Sequence, residues 1–189
     1  MNTMYIALLM AYVIGSLPFA YQISTILRDI DPRTVGDMNL GAKNVFLYVG
    51  HLEGILVGFL DISKGLISIL IGRSFGLDLY GLFVMGFAVV IGHNWSMFLG
   101  FQGGQGMATT VGVLLALAPF STMAGLVIGI IAFLITKHWD ISCGIGLALI
   151  PIICWFWGKD QSITYYSILL IPMIGVAKWL QAHPLFRHV

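Results

Sequence analysis

An aspartate and a lysine stand three residues apart inside an apolar stretch of this chain, at Asp61 and Lys64. That spacing puts both side chains on one face of a helix, where they can form an ion pair. Counted from Leu52, Lys64 would lie about 18 Å along the helix, well inside a bilayer. Charges at that depth usually face a partner or a wet cavity, so we favour a functional pair over one that only fixes helix packing.

A glycine-rich stretch further along the chain reads Gly-Phe-Gln-Gly-Gly-Gln-Gly over residues 100–106. Consecutive glycines can direct backbone N–H groups at a phosphate, and the apolar stretch from Met107 predicts a helix N-terminus directly after them. A P-loop is excluded because the Gly-Lys-Ser/Thr signature does not occur. The pattern by itself fits an anion-binding loop and a flexible loop that lets helices pack closely equally well.

Two further polar groups could supply hydrogen bonds or proton transfer. His93-Asn94 ends an apolar stretch just before the glycine loop. Histidine can act as a general base or bind a substrate, although a single histidine at a helix end is more often a capping or interfacial residue. The segment 36–44 carries two glycines and two asparagines among charges, which suits either a substrate loop or a re-entrant turn.

Such polar residues are scarce, because 59% of the 189 residues are hydrophobic and only 9% are charged. A soluble domain carries about 25% charged residues, so most of this surface must face lipid. The net charge of +1 argues against a nucleic-acid-binding surface, which would be basic. The two cysteines would lie about 16 Å apart along one helix, too far for a disulfide.

Apolar stretches of spanning length divide the chain and predict an all-α, multi-pass membrane helix bundle. Pro119 should split the stretch 107–136, because one helix there would reach about 45 Å and the residue before a proline disfavours helix. We therefore expect seven spans, at 4–27, 52–71, 79–99, 107–118, 120–136, 141–157 and 163–180. No linker is long enough for a second domain, so residues 1–189 are expected to form a single domain.

The distribution of Lys and Arg favours seven spans with the N-terminus outside and the C-terminus in the cytoplasm. In that topology six of the nine basic residues fall in inner segments and two in outer segments. With six spans, each side would carry four. The polar segments 28–51 and 100–106 both lie on the cytoplasmic side of the seven-span arrangement.

These polar segments, in this order, resemble the bacterial acyl-phosphate:glycerol-3-phosphate acyltransferase family. The matching motifs cover roughly the first two thirds of the chain and are Gly15-Ser16-Leu17-Pro18-Phe19, Val35-Gly36 to Asn39, Gly41-Ala42, Asn44-Val45-Phe46, Asp61 to Gly65, Gly92-His93-Asn94 and Gly103 to Thr110. The resemblance implies a seven-span enzyme of the bacterial inner membrane with its active site near the cytoplasmic face. Such an enzyme moves an acyl group from acyl phosphate to the 1-hydroxyl of glycerol 3-phosphate and yields lysophosphatidic acid for phospholipid synthesis.

The same resemblance implies roles for individual residues. The implied catalytic residues, which would orient the substrates, are His93, Asn39 and Asn44. The implied substrate-binding residues are Ser16, Gly36, Gly41, Lys43, Asp61, Lys64, Gly103, Gly104, Gln105, Gly106 and Thr109. No covalent nucleophile stands out, so the acceptor hydroxyl is expected to attack directly, helped by proximity and charge stabilisation. Acyl phosphate, glycerol 3-phosphate and the lipid bilayer are the expected partners, with no metal, cofactor or nucleic acid.

The chain departs from the family pattern where cations are expected. Gln102 and Gln105 replace the lysines of Phe-Lys-Gly-Gly-Lys-Gly, and Leu47 replaces an arginine. Lys43 is one added cation, whereas Asp37 is an added acid. The family's C-terminal motif, with Asn-Ile and a later Glu, has no match in residues 181–189.

Two alternatives to the acyltransferase hypothesis remain open. The loss of cations motivates a divergent paralogue that uses a less anionic acceptor, or that binds lipid or anions without turnover. The loss bears on glycerol 3-phosphate binding only if the changed positions 37, 43, 102 and 105 converge on one cytoplasmic pocket. The other alternative is a small transporter with Asp61 and Lys64 in its pathway, but the two halves of the sequence show no matching repeat that would favour it.

Overall fold

The computed structural model describes residues 2–157 and 161–182, and every regular element in those residues is helical. The α-helices of this part are α1 (Asn2–Ser16), α2 (Phe19–Arg28), α3 (Ala42–Tyr48), α4 (His51–Ser74), α5 (Leu79–Asn94), α6 (Met107–Leu117), α7 (Pro119–Thr136), α8 (Trp139–Phe156) and α9 (Gln161–Ala182). A 3₁₀ turn, Met97–Leu99, follows α5. The prediction of an all-α architecture is confirmed.

The apolar helices have the lengths that a bilayer requires. Within the described residues, six segments are long and apolar enough to cross a membrane, and α6 is a shorter apolar helix. The predicted split at Pro119 is confirmed, because α6 ends at Leu117 and Pro119 is the first residue of α7. The 11 residues of α6 reach about 17 Å, roughly half of a hydrocarbon core. The count of seven spans and the orientation of the termini therefore stay predictions.

The first predicted span, 4–27, is divided into two helices. α1 ends at Ser16 and α2 begins at Phe19, with Leu17 and Pro18 between them. Proline lacks an N–H group and disfavours helix in the residue before it, which accounts for the break. The two helices still follow one another as a candidate span, Thr3–Arg28. The break leaves backbone carbonyl groups near its centre free of regular helical hydrogen bonds.

The described residues form two compact units, one of residues 2–113 and 174–182 and the other of residues 114–157 and 161–173. In the second unit α7 and α8 lie in close contact, since a Cβ added to Gly125 would lie 2.7 Å from the carbonyl oxygen of Gly146. Whether residues 1–189 form a single domain stays a prediction.

Glycines bring the helices of the first unit into backbone contact. α1 and α5 cross at Gly15 and Gly92, and α4 crosses the first turns of α6 at Gly65 and Gly112. A Cβ on any of these four residues would overlap a carbonyl oxygen of the opposite helix. These two crossings hold the break after α1, the middle of α4, the end of α5 and the start of α6 close together.

Candidate functional site

The predicted ion pair lies in the middle of α4 and is almost fully buried. Asp61 and Lys64 are 2% and 3% exposed, and Lys64 Nζ lies 2.9 Å from Asp61 Oδ1. The same ammonium donates a hydrogen bond of 3.2 Å to the carbonyl of Leu17 and lies 5.6 Å from the centre of the Phe19 ring. The break between α1 and α2 therefore provides an acceptor for the buried lysine.

The same break also anchors the segment that follows α5. Ser96 Oγ donates to the carbonyl of Ser16 at 2.6 Å, and the Tyr12 hydroxyl donates to the carbonyl of Trp95 at 3.0 Å. These bonds fix the chain that leads into the glycine loop against α1. Ser96 was not predicted as a site residue.

His93, in the last turn of α5, faces the carboxylate of the ion pair. Its Nδ1 atom lies 3.5 Å from Asp61 Oδ1. Its backbone carbonyl accepts a hydrogen bond of 3.0 Å from the N–H of Gly104. A Cβ on Gly104 would overlap the Nε2 atom of the imidazole, so the ring edge lies directly against the glycine loop. Asp61 thus lies between Lys64 and His93.

The glycine loop has a backbone conformation that its glycines permit. Gly100, Phe101 and Gly106 have φ angles of 61°, 62° and 79°. This left-handed conformation is rare for a residue such as Phe101, which carries a side chain. The loop runs directly into α6, and the first N–H groups of an α-helix have no partner within the helix. The arrangement places a helix N-terminus next to His93.

Three buried polar side chains near this helix start lack a hydrogen-bond partner within the described part of the chain. They are the amide of Asn94 and the hydroxyls of Thr109 and Thr110, on residues that are 2% exposed or less. Asn94 faces the loop, because a Cβ on Gly106 would lie 2.5 Å from Asn94 Oδ1. Burying unpaired polar groups is costly, so this region is suited to a ligand or water that completes their hydrogen bonds.

Asn44 organises the polar loop between α2 and α3. It is fully buried, and its Nδ2 atom donates to the carbonyls of Pro32 and Val35 at 2.9 and 3.2 Å. Its Oδ1 atom accepts from the N–H of Asp37 at 3.2 Å. Because backbone groups occupy this amide, Asn44 is placed to shape the loop, whereas the resemblance implied that it orients a substrate.

A more exposed ion pair closes the same loop. Arg33 Nη2 lies 2.7 Å from Asp31 Oδ2, and the guanidinium lies 4.9 Å from the centre of the Tyr21 ring. The hydrogen bonds from Arg33 hold the pKa of the Asp31 carboxyl below its ordinary value. Arg33 is therefore occupied in stabilising the loop.

A cavity that is partly open to solvent is formed by the α1–α2 break, α4, the end of α5 and the glycine loop. The predicted site residues that line it are Ser16, Asp61, Lys64, His93, Gly103 and Gly104. The predicted residues outside its lining are Gly36, Asn39, Gly41, Lys43, Asn44, Gln105, Gly106 and Thr109. Lining residues that the prediction missed include Pro18, Phe19, Leu40 and Ser96, of which only the proline within a span gave a sequence signal.

The positions where the chain departs from the family pattern do not all meet in this cavity. Of the described residues Asp37, Lys43, Gln102 and Gln105, only Gln102 belongs to the lining. These four positions therefore do not converge on this cavity, and the charge argument against glycerol 3-phosphate binding loses its force. Elsewhere in the described residues, no group of three or more His, Cys, Asp or Glu side chains could hold a metal ion.

The fold and the cavity define an integral membrane helix bundle with a buried polar site beside a glycine-rich helix N-terminus. A sequence model described as glycerol-3-phosphate acyltransferase matches residues 5–186, and the chain belongs to this family. The family resemblance drawn from the motifs is confirmed.

Similar proteins agree with this assignment. The chain is 36% identical to a glycerol-3-phosphate acyltransferase of Thermoanaerobacter pseudethanolicus, over 86% of this chain and 81% of that protein. It is 32% identical to glycerol-3-phosphate acyltransferase 4 of Dehalococcoides mccartyi, over 92% and 94%. A crystal structure of PlsY, an integral membrane glycerol 3-phosphate acyltransferase, in its glycerol 3-phosphate form is similar with a TM-score of 0.85 and 31% identity, over 93% of this chain and 88% of that one.

Proposed function

We propose that this protein transfers an acyl group from acyl phosphate to the 1-hydroxyl of glycerol 3-phosphate and releases lysophosphatidic acid and inorganic phosphate. Membership of the glycerol-3-phosphate acyltransferase family supports the reaction class. A similar PlsY structure is described in a glycerol 3-phosphate form and another in a lysophosphatidic acid form. Those two compounds are the acceptor and the product of the proposed reaction.

The observation that carries the proposal is the composition of the cavity. One space is lined by a buried ammonium, Lys64, by an imidazole, His93, and by Gly103 and Gly104 of the loop that precedes α6. Phosphate groups bind readily to glycine-rich loops at helix N-termini, since N–H groups and the helix dipole both favour an anion. The hydroxyl of Thr109, in the first turn of α6 and outside the cavity lining, is a further donor that has no partner among the described residues.

The proposed chemistry needs no covalent enzyme intermediate. The acceptor hydroxyl oxygen attacks the carbonyl carbon of the acyl phosphate, and the bond between that carbon and the phosphate oxygen breaks. The phosphate departs with the bonding electrons, and the hydroxyl proton leaves with it. Lys64 has three N–H donors, two of which are directed at Asp61 and Leu17. We assign the third, together with His93 and the loop N–H groups, to stabilising the charge that develops during transfer.

The remaining predicted residues have less direct roles in this proposal. Asn39 and Asn44, with Gly36 and Gly41, shape the α2–α3 loop, and Leu40 is the part of that loop that reaches the cavity. Lys43 follows that loop at the start of α3 and lies outside the cavity lining. The remaining substrate-binding assignments apply to the cavity lining and to the loop from Gly103 to Gly106.

The proposal is tested with purified protein, a long-chain acyl phosphate and labelled glycerol 3-phosphate. We expect labelled lysophosphatidic acid to form together with one equivalent of phosphate. His93→Gln should lower kcat, whereas His138→Gln, the same change at an exposed residue between α7 and α8, should leave it unchanged. Folded protein that makes no lysophosphatidic acid at millimolar acceptor would overturn the proposal.

A less anionic acceptor is the second candidate function, and Gln102 is the observation that favours it. This residue puts a neutral amide in the cavity lining where the family pattern has a lysine. The support is limited to this position, since the other changed residues lie outside the lining. Glycerol in place of glycerol 3-phosphate, in the same assay, separates the two acceptors.

We also propose that the protein resides in the bacterial cytoplasmic membrane, as a single seven-span domain with the N-terminus outside. The excess of Lys and Arg in the segments assigned to the cytoplasm supports this orientation. The family match over residues 5–186 includes parts of both compact units and supports one domain. Reporter fusions after Arg73 and after Lys137 should report opposite sides of the membrane; a shared side would contradict the topology.

A further inference from the structure

A side chain of α9 contacts the glycine loop. Gln181, in the final turn of α9, donates from Nε2 to the carbonyl oxygens of Gly103 and Gly104 at 3.1 and 2.9 Å. A glutamine amide nitrogen carries two hydrogens, so these two bonds use both of them. The contact joins residues that are 77 and 78 positions apart in the sequence.

The two hydrogen bonds determine the orientation of two successive peptide groups. In a trans peptide the C=O and the following N–H point in opposite directions. The peptide that directs the Gly103 carbonyl at Gln181 therefore directs the Gly104 N–H away from α9, and that N–H donates to the carbonyl of His93 at 3.0 Å. By the same geometry, the peptide after Gly104 directs the N–H of Gln105 away from α9.

The loop is held on its opposite side as well. A Cβ on Gly104 would overlap His93 Nε2, and it would lie 2.7 Å from the carbonyl oxygen of Leu40. Glycine has the largest backbone freedom of any residue, so a loop with three glycines in four positions orders only where contacts hold it. Gln181 supplies such contacts from the side opposite to His93.

We propose that Gln181 is a positioning residue for the glycine loop. It holds the peptide before Gly104 so that the Gly104 N–H stays bonded to the His93 carbonyl, and it holds the peptide after Gly104 so that the Gln105 N–H is presented to a phosphoryl oxygen of the substrate. The inference rests on the proposed acyltransferase function and adds a residue from the C-terminal helix to its site. Gln181 does not touch the reacting atoms; it acts through the loop. Its amide is effective because both hydrogens are donors and neither carbonyl can turn away without losing a bond.

Substitutions of similar size at Gln181 separate the effect of its hydrogen bonds from the effect of its packing. Gln181→Met keeps the length and removes the donors, and Gln181→Glu keeps the shape but places a carboxylate against two carbonyls. Gln181→Lys restores N–H donors. Gln22→Met is the matched control, because Gln22 is an exposed residue of α2 outside the cavity lining.

The series is measured in two ways, by kcat and KM in the acyltransferase assay and by amide hydrogen exchange over residues 103–108. Losing two neutral hydrogen bonds should lower kcat about tenfold in Gln181→Met, and more in Gln181→Glu. Amide hydrogen exchange in the loop should be faster in Gln181→Met and Gln181→Glu than in the wild type. Gln181→Lys should regain part of the wild-type kcat and part of the protection of the loop amides from exchange. Gln22→Met should match the wild type in both measurements.

Other outcomes overturn the inference. Wild-type kcat and wild-type loop protection in Gln181→Met would show that the two bonds position nothing. If kcat and loop protection instead fall in the order of side-chain volume, with Gln181→Lys the most impaired variant, Gln181 has a packing role. If the wild-type protein makes no lysophosphatidic acid, the proposed function fails, and the hydrogen-exchange comparison still decides whether Gln181 orders the loop.

Discussion

Removal of the Lys64 ammonium should destabilise the protein strongly. Lys64→Met keeps the side-chain length but leaves the Asp61 carboxylate buried without the cation that lies 2.9 Å away. Both side chains are 3% exposed or less, so water can compensate little. Removing one partner of a buried ion pair costs about 3–5 kcal/mol. The carbonyl of Leu17 also loses one of its two donors and keeps the bond from the Phe19 N–H, which adds about 1 kcal/mol or less.

A double variant shows whether the cost arises from the uncompensated charge. Asp61→Asn combined with Lys64→Met removes both charges at nearly constant shape, so it should be more stable than Lys64→Met alone. The free energy of unfolding is measured by titration with a denaturing detergent, followed by circular dichroism. Arg33→Met is the control, because the ion pair of Arg33 is about one third exposed and should contribute about 1 kcal/mol or less.

The activity of these variants separates packing from function. The double variant should recover stability but not acyl transfer, because the cavity has lost both of its buried charges. Lys64→Met protein with wild-type stability would refute the electrostatic account of the pair. A double variant that is less stable than Lys64→Met would refute it as well. An active double variant would show that the pair only fixes helix packing.

Three further changes test the site and the loops around it. Gly104→Ala should lower kcat at least tenfold, because the added methyl overlaps His93. Gly144→Ala, whose added methyl meets no atom of the described residues within 4 Å, should leave kcat unchanged. Equal activities of the two variants would contradict the close approach of Gly104 to His93. Asn44→Ala should lower the free energy of unfolding by about 1–3 kcal/mol for each backbone group left unpaired, and an unchanged melting temperature would contradict this. Gln102→Lys adds a cation to the cavity lining, so KM for glycerol 3-phosphate should fall and should depend more steeply on salt; an unchanged KM at low and high salt would place residue 102 outside the acceptor site.

The sequence predicted the helices well because membrane spans are marked by long apolar runs. It also predicted the boundary at Pro119, where a proline coincides with an apolar run too long for one span. Pro18 carries the same local signal, but the run around it has the length of a single span. Because membrane helices often tolerate proline, nothing local marked a complete break between α1 and α2.

Contacts within the site could be predicted from the sequence where both residues lie on the same helix. Asp61 and Lys64 lie on one face of α4, so their spacing sufficed to pair them. Contacts between distant segments left no such signal: Ser96 meets the carbonyl of Ser16, and Gln181 meets two loop carbonyls. Every residue has a backbone carbonyl, so no pattern of residue types predicts which carbonyl will accept a hydrogen bond from a distant side chain.

The balance of charge in the first unit explains why loop geometry matters in the proposed site. Lys64 is paired with Asp61, and Arg28 lies 2.6 Å from Glu53, so both cations are offset by carboxylates. Pairing lowers the cost of a charge at bilayer depth, but it also weakens the attraction of that charge for a phosphate. Backbone N–H groups at a helix N-terminus carry partial charges that need no counter-ion. In the proposed site, we therefore expect phosphate binding to depend more on how the loop N–H groups are directed than on net charge, and Gln181 holds the peptide group that carries the Gln105 N–H.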